Sequence, residues 1–273
     1  MIRLFLIEWY KLRKYRAFQV LTGLYFLLVV VVCSSGMLFL QYLKSKGVDF
    51  KSIDPTMLPV YHFPFVWQNL AYVAARLKLI LAFLVILSIT NEITYKTLRQ
   101  NIIDGMTRFE FMVSKLSMIF VLSLINTLLI FLIGLITGLI YSHDRSLTVI
   151  FTDMQYLWAF FLNIFSFLVF ALLIALLINR TGVVIIFLAM YTVIIEPIIT
   201  AIFSNAPLPP IFAKLAPFFP RQAITNLIPN PFPQYILREI QDYVSFSSVA
   251  IAGGEMLLFL GMIYLILKWK KTS

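Results

Sequence analysis

Six long apolar runs separated by short polar segments dominate the chain. They extend roughly from Phe18 to Leu40, Val66 to Thr90, Leu116 to Tyr141, Tyr156 to Ile178, Val183 to Phe203 and Val249 to Leu267. Each is near the ~20 residues a helix needs to cross ~30 Å of hydrocarbon. The pattern predicts an all-α, polytopic membrane protein with six transmembrane helices, residues 1–273 forming one transmembrane domain. Ahead of the first run, Ile2, Phe5, Leu6 and Trp9 fall at helical spacing, and Arg3, Lys11, Arg13, Lys14 and Arg16 supply a polar side. Residues 1–17 therefore read as an amphipathic helix in the membrane interface, or as a basic flank that orients the first span.

Composition supports lipid as the solvent. The chain is 61% apolar and 12% charged, against about 25% charged in a soluble domain. Little length remains for a large soluble domain once six spans are drawn. The net charge of +10 is then read through its distribution among loops, and nucleic acid is not an expected partner. One cysteine, Cys33, excludes a disulfide framework and a cysteine metal cluster; it reads as lipid-facing or packed filler. The run after Arg16 is too long for a signal-peptide core and should stay as the first span.

Alternate loops differ in charge. The N-terminal segment, the 91–115 connection, Arg180 and the tail (Lys268, Lys270, Lys271) hold thirteen of the 22 Lys and Arg, and the opposite loops hold seven. The richer side is expected to be cytoplasmic, with both termini inside. Trp9, Trp67, Trp158 and Trp269 fall at span ends, where aromatic anchors belong.

Chemical signatures of catalysis are missing. The sequence has no G-x-x-x-x-G-K-[ST], no H-E-x-x-H and no G-x-S-x-G. His62 and His143 fall in loops, so no metal site is expected. Gly134 and Gly138 form a G-x-x-x-G that permits close helix approach.

Four charges fall inside the apolar runs: Arg76, Lys78, Glu196 and Glu255. A charge at mid-span costs at least ~2.5 kcal/mol, so each should face the bundle or a wet cavity. At 1.5 Å per residue all four lie about 20–22 Å from the cytoplasmic end, in one layer. They are expected to pair between helices or across a dimer axis; alternatively Arg76 snorkels to the headgroups. Pro197 directly after Glu196 should bend that helix.

Two connections stand out. Residues 204–247 hold eight of the twelve prolines yet are apolar between them. This segment reads as an external re-entrant hairpin between spans five and six, or as a loop packed over the span ends. Residues 91–115 read NEITYKTLRQNIIDGMTRFEFMVSK. Glu92 and Lys96 are spaced for a helix, Asp104-Gly105 marks a turn, and Thr107 with Glu110 forms a capping box for a second short helix.

Here the chain resembles the permease subunits of type-2 ABC transporters, also called type V exporters. The resemblance rests on Glu92, Thr97-Leu98-Arg99, Gly105, Arg108 and Lys115, together with the order of basic N-terminal helix, six spans and proline-broken segment. It implies two permease chains, alike or different, above two separate ABC ATPase subunits, with ATP and magnesium bound on the ATPase and no cofactor or enzymatic activity on this chain. It makes 91–115 a coupling loop and gives Glu92, Tyr95, Lys96, Thr97, Leu98, Arg99, Asp104, Gly105 and Arg108 as ATPase-coupling residues; otherwise these charges anchor span ends. Export follows from the same resemblance; a bacterial inner (cytoplasmic) membrane is the expected location. The alternative is a self-sufficient secondary transporter or channel that uses the intramembrane charge layer.

Overall fold

The computed structural model of the protein describes residues 8–11, 13–47, 59–205, 209–232 and 243–269. Among these, every regular element is a helix: α1 (Arg16–Ser34), α2 (Gly36–Ser45), α3 (Val66–Ala75), α4 (Lys78–Thr94), α5 (Thr97–Ile103), α6 (Arg108–Tyr141), α7 (Leu147–Phe151), α8 (Gln155–Ile178), α9 (Thr181–Met190), α10 (Glu196–Asn205), α11 (Pro210–Leu215), α12 (Pro220–Thr225) and α13 (Phe246–Trp269). Five stretches are long and apolar enough to cross a membrane: Arg16–Ser34, Arg108–Tyr141, Leu147–Ile178, Thr181–Ser204 and Phe246–Trp269. The pair α3 and α4, bent by 47° at their junction, makes a sixth when taken as one span. This is the build of a polytopic helical membrane protein.

The apolar runs set where the helices lie, and polar groups set where they break. The first run is divided after Ser35. The Tyr61 hydroxyl donates to the Cys33 carbonyl and accepts the Gly36 N–H at 2.9 Å, so backbone groups at the junction are satisfied from outside the helix. A Cβ at position 36 would collide with that hydroxyl, which explains the glycine. Cys33 itself is buried and packed. The short helix expected after Thr107 does not stand alone. Thr107 and Glu110 form the capping box, but the helix they open is α6, which runs unbroken for 34 residues. A cap satisfies N–H groups at the start and carries no signal about where a helix stops.

Helix α8 is the centre of the bundle and packs against α3, α4, α6 and α13. Phe160, Ile164, Phe167, Leu168 and Val169 are all buried. Lipid is as apolar as these side chains, so close packing and cross-helix hydrogen bonds must hold such a core. Both are present. Asn126 Nδ2 on α6 donates to the Tyr25 hydroxyl on α1 at 2.7 Å. Gly134 and Gly138 on α6 lie beneath the rings of Trp67 and Phe63, and a Cβ at Gly134 would sit 2.7 Å from the Trp67 ring. The G-x-x-x-G thus admits aromatic rings from the same chain.

Trp67 corrects the reading of the tryptophans. Trp9, Trp158 and Trp269 are exposed, but Trp67 is 0% exposed. Its indole N–H donates to the Ile150 carbonyl at 2.8 Å, and its ring stacks on Phe131. Position at a span end does not separate an interfacial anchor from a core residue whose one donor finds an internal partner.

Part of residues 209–232 packs into the bundle, while Ile211, Leu215 and Phe218 are exposed. Ala223, Ile224, Leu227 and Ile228 are buried, and α12 lies against α8 and α13. Asn163 on α8 donates to the Ile224 carbonyl at 2.5 Å, and Gln68 on α3 donates to the Pro229 carbonyl at 3.2 Å. These bonds satisfy carbonyls that proline-interrupted backbone leaves free. Residues 206–208 and 233–242 of the proline-rich segment lie outside the described residues, as do Ile2, Arg3, Phe5 and Leu6 of the N-terminal helix.

The His62 and His143 rings lie 6.0 Å apart in the connections at the α7 end of the bundle. Burial first, and the neighbouring His143 second, hold the His62 imidazole below its ordinary value. An unfolded imidazole takes its proton near pH ~6.5. The contribution of this group is therefore fully present above that pH and is lost as pH falls toward the lower folded value. Melting temperature measured from pH 7.5 to 5 should fall more in the wild type than in His62→Asn.

Candidate functional site

Two polar constellations occur at different levels of the bundle. The first is at the end that carries α5. Lys115, on the second turn of α6, is 2% exposed. Its Nζ lies 2.6 Å from Glu8 Oε2 and 3.1 Å from Glu92 Oε1, and it donates to Ser88 Oγ at 3.1 Å. Lys11 Nζ reaches the same Glu92 oxygen at 3.1 Å, and Ser114 Oγ donates to Glu8 Oε1 at 3.3 Å. One clamp thus ties together the helical turn at residues 8–11, the end of α4 and the start of α6. A buried ammonium has three donors to place; here Glu8 and Ser88 accept from it, and Glu92 faces it as a salt-bridge partner.

The clamp sorts the residues expected to couple to an ATPase. Glu92 is 8% exposed and faces inward. Arg108 also turns to its own chain, donating to the carbonyls of Leu267 and Lys268 at the end of α13. There it supplies positive charge to a helix C-terminus with unpaired carbonyls. Tyr95, Lys96, Thr97, Asp104 and Gly105 are exposed. The side chains of Leu98 and Arg99 lie outside the described residues. Helix α5 is bracketed by two residues in left-handed conformation, Lys96 at φ 55° and Gly105 at φ +96°, which let the chain turn out of α4 and back into α6. The exposed apolar residues Tyr95, Ile103 and Phe109 flank it.

The second constellation is a cavity of about 250 Å³ lined by Tyr72, Arg76, Lys78, Asn163, Thr192, Arg221 and Thr225, with apolar residues between them. Three irregularities of the helices meet at it. The α3–α4 bend brings Arg76 and Lys78. A wider, π-type turn at Tyr191–Ile195, between α9 and α10, brings Thr192. The proline-initiated α12 brings Arg221 and Thr225. The wide turn immediately precedes Glu196-Pro197, where proline lacks the N–H that an α-helical turn would use. Irregular backbone at this depth is tolerated where it lines a cavity.

Among the described residues, the four charges of the apolar runs form no ion pairs with one another; each has its own environment. Lys78 donates to Asn163 Oδ1 at 2.8 Å. Arg76 is exposed, lies over the Tyr72 ring and donates to the Tyr72 hydroxyl at 2.6 Å, one turn back along its helix. Glu196 accepts the backbone N–H groups of Arg221 and Gln222 at 2.9 and 2.6 Å, as a side-chain cap on α12. Glu255 is 9% exposed, and neither of its oxygens has a hydrogen-bond partner among the described residues. Counting charge along the runs singled out these four residues. It could not show that backbone N–H groups and an amide would serve where opposite charges were expected.

Sequence reasoning missed Glu8, Asn163 and Arg221. Each had a signal: Glu8 is the sole acid in residues 1–17, Asn163 the sole amide in the fourth run, and Arg221 a cation within an unusually apolar segment. No protein-family model matches the sequence, and no curated protein is detectably similar to it.

Proposed function

We propose that this chain is the transmembrane permease subunit of an ATP-driven ABC transporter, an exporter, coupled to a separate ATPase subunit. The observation that carries this reading is the form of the 91–115 connection. A short helix with exposed polar and apolar residues stands out from the end of the bundle, and its roots are gripped by the Glu8–Lys11–Glu92–Lys115 clamp. A protruding helix with Tyr95 and Ile103 bare is a docking knob, and a buried ion cluster at its base makes it a lever on α4 and α6. In this reading Tyr95, Lys96, Thr97, Leu98, Arg99, Asp104 and Gly105 meet the ATPase. Glu92 and Arg108 transmit the displacement inside the chain.

The remaining features follow from the same reading. A second permease chain, identical or different, completes the transmembrane unit. The α5 end and both termini face the cytoplasm of a bacterium, with the chain in its inner membrane. Residues 204–247 form a re-entrant hairpin on the far side, and the N-terminal helix lies in the interface. A secondary transporter or channel is favoured by one observation, the charged cavity at the helix breaks.

The test is co-expression with candidate ATPase subunits carrying a Walker motif. An ATPase should copurify with the wild-type chain in detergent and be lost from Tyr95→Ala/Ile103→Asp, while the variant remains monodisperse. Solute movement in liposomes by this chain alone, with no ATPase bound, would establish the other reading.

A further inference from the structure

We propose that the cavity at the three helix breaks binds the anionic phosphate head group of an amphiphile. The inference does not depend on the ATPase reading, because it concerns a site complete within this chain. Three cationic side chains from two separate elements converge on one space: Arg76 and Lys78 from the α3–α4 bend and Arg221 from α12. The one acid beside them, Glu196, is occupied by the backbone N–H groups of Arg221 and Gln222. Its carboxylate is directed at the α12 backbone and offsets one of the three cations, so the balance of charge around the space stays positive.

The donors inside it are underused. The Lys78 ammonium has three N–H groups, and Asn163 Oδ1 accepts one of them. Arg221 contributes a guanidinium, whose planar fork matches two phosphate oxygens at once. Thr192, whose hydroxyl donates to the Leu188 carbonyl at 2.7 Å, and Thr225 and Tyr72 add polar groups to the lining, among apolar residues such as Phe167 and Ile228. Like charges gathered among apolar helices repel and are poorly solvated, and an anion among them relieves both costs.

Size and setting select the class of ligand. A cavity of about 250 Å³ falls below the range of ~300–1,000 Å³ typical of sites that enclose a drug-sized molecule. It holds a head group and leaves the rest of the ligand outside. Arg76 is exposed at the rim. The faces of α9, the wide turn and α10 carry bare apolar residues, including Ile186, Val193 and Ile198, along which an acyl chain can lie. A phosphate with attached apolar chains satisfies the cations and the greasy surroundings together.

The test uses the full chain purified in a neutral maltoside detergent, with binding followed by calorimetry. The probes are short-chain phosphatidylglycerol, short-chain phosphatidylcholine and inorganic phosphate. Phosphatidylglycerol should bind saturably, and the zwitterionic lipid should bind much more weakly. Lys78→Gln with Arg221→Gln should weaken binding by roughly tenfold or more per cation removed. The charge-preserving pair Lys78→Arg with Arg221→Lys should retain it. Competition by inorganic phosphate identifies a site for the free anion as well; lack of competition identifies one that needs the amphiphile. Equal binding of the two lipids, unchanged binding in the double Gln variant, or loss in both double variants would overturn the proposal.

Discussion

Lys115→Met should destabilise the protein by about 3–5 kcal/mol, the usual result of removing one partner from a buried ion pair. Lys115 is 2% exposed and faces Glu8 and Glu92, themselves 2% and 8% exposed. Without its ammonium, the cation left to the two buried carboxylates among the described residues is Lys11, which lies 3.7 Å from Glu8 and 3.1 Å from Glu92 on a side chain that is 37% exposed. Methionine keeps most of the volume, so the loss reports charge and not a cavity. The neutral triple variant Glu8→Gln/Glu92→Gln/Lys115→Met should recover much of the stability, since amides cost far less than orphaned carboxylates when buried. Unfolding in detergent gives both numbers. A single variant within 1 kcal/mol of wild type would show that water reaches the clamp and that it is no rigid base for α5.

Trp67→Ala is the second large effect, at roughly 3–5 kcal/mol. The Trp67 side chain is fully buried, stacks on Phe131 and holds the carbonyl of Ile150 through its N–H. Its removal empties space against Gly134, where no Cβ is present to fill it, and leaves that carbonyl without its donor. Because Trp67 lies one residue into α3, the same change should loosen the segment that ends in Arg76 and weaken ligand binding in the cavity. Trp67→Phe restores part of the ring packing but not the hydrogen bond, and should fall between the two. Equal losses for Phe and Ala would assign the whole effect to the hydrogen bond.

What could be read from the sequence divides along a physical line. Continuous apolar runs report burial in lipid or protein directly, so the helices appeared where the runs are. The fourth run, 156–178, became α8 at Gln155–Ile178. Breaks are set by partners distant in sequence. Nothing local to Ser35 foretells that Tyr61 will take over the backbone there, and nothing local to Arg76 fixes a 47° bend. The candidate sites follow the same division. Charges within apolar runs are rare, and two of the four, Arg76 and Lys78, line the cavity, whereas Glu196 and Glu255 do not. Their partners were hidden, because an acid can be satisfied by backbone N–H groups, as Glu196 is, and backbone carries no sequence label. At the α5 end, the acid after the second span and the lysine opening the third were noticed as part of one motif. Their contact across α4 and α6, with Glu8 as third member, required the fold.

The central claim, that α5 is the surface a separate ATPase grips, is tested most directly by a crosslink from the knob itself. A photoreactive amino acid replaces Tyr95, which is 75% exposed, in cells that also express the candidate ATPase. Illumination should join this chain to a protein carrying a Walker motif, and the same probe at Trp158, exposed at the opposite end of the bundle, should not. Adducts at position 95 limited to lipid or to this chain's own termini would contradict the account.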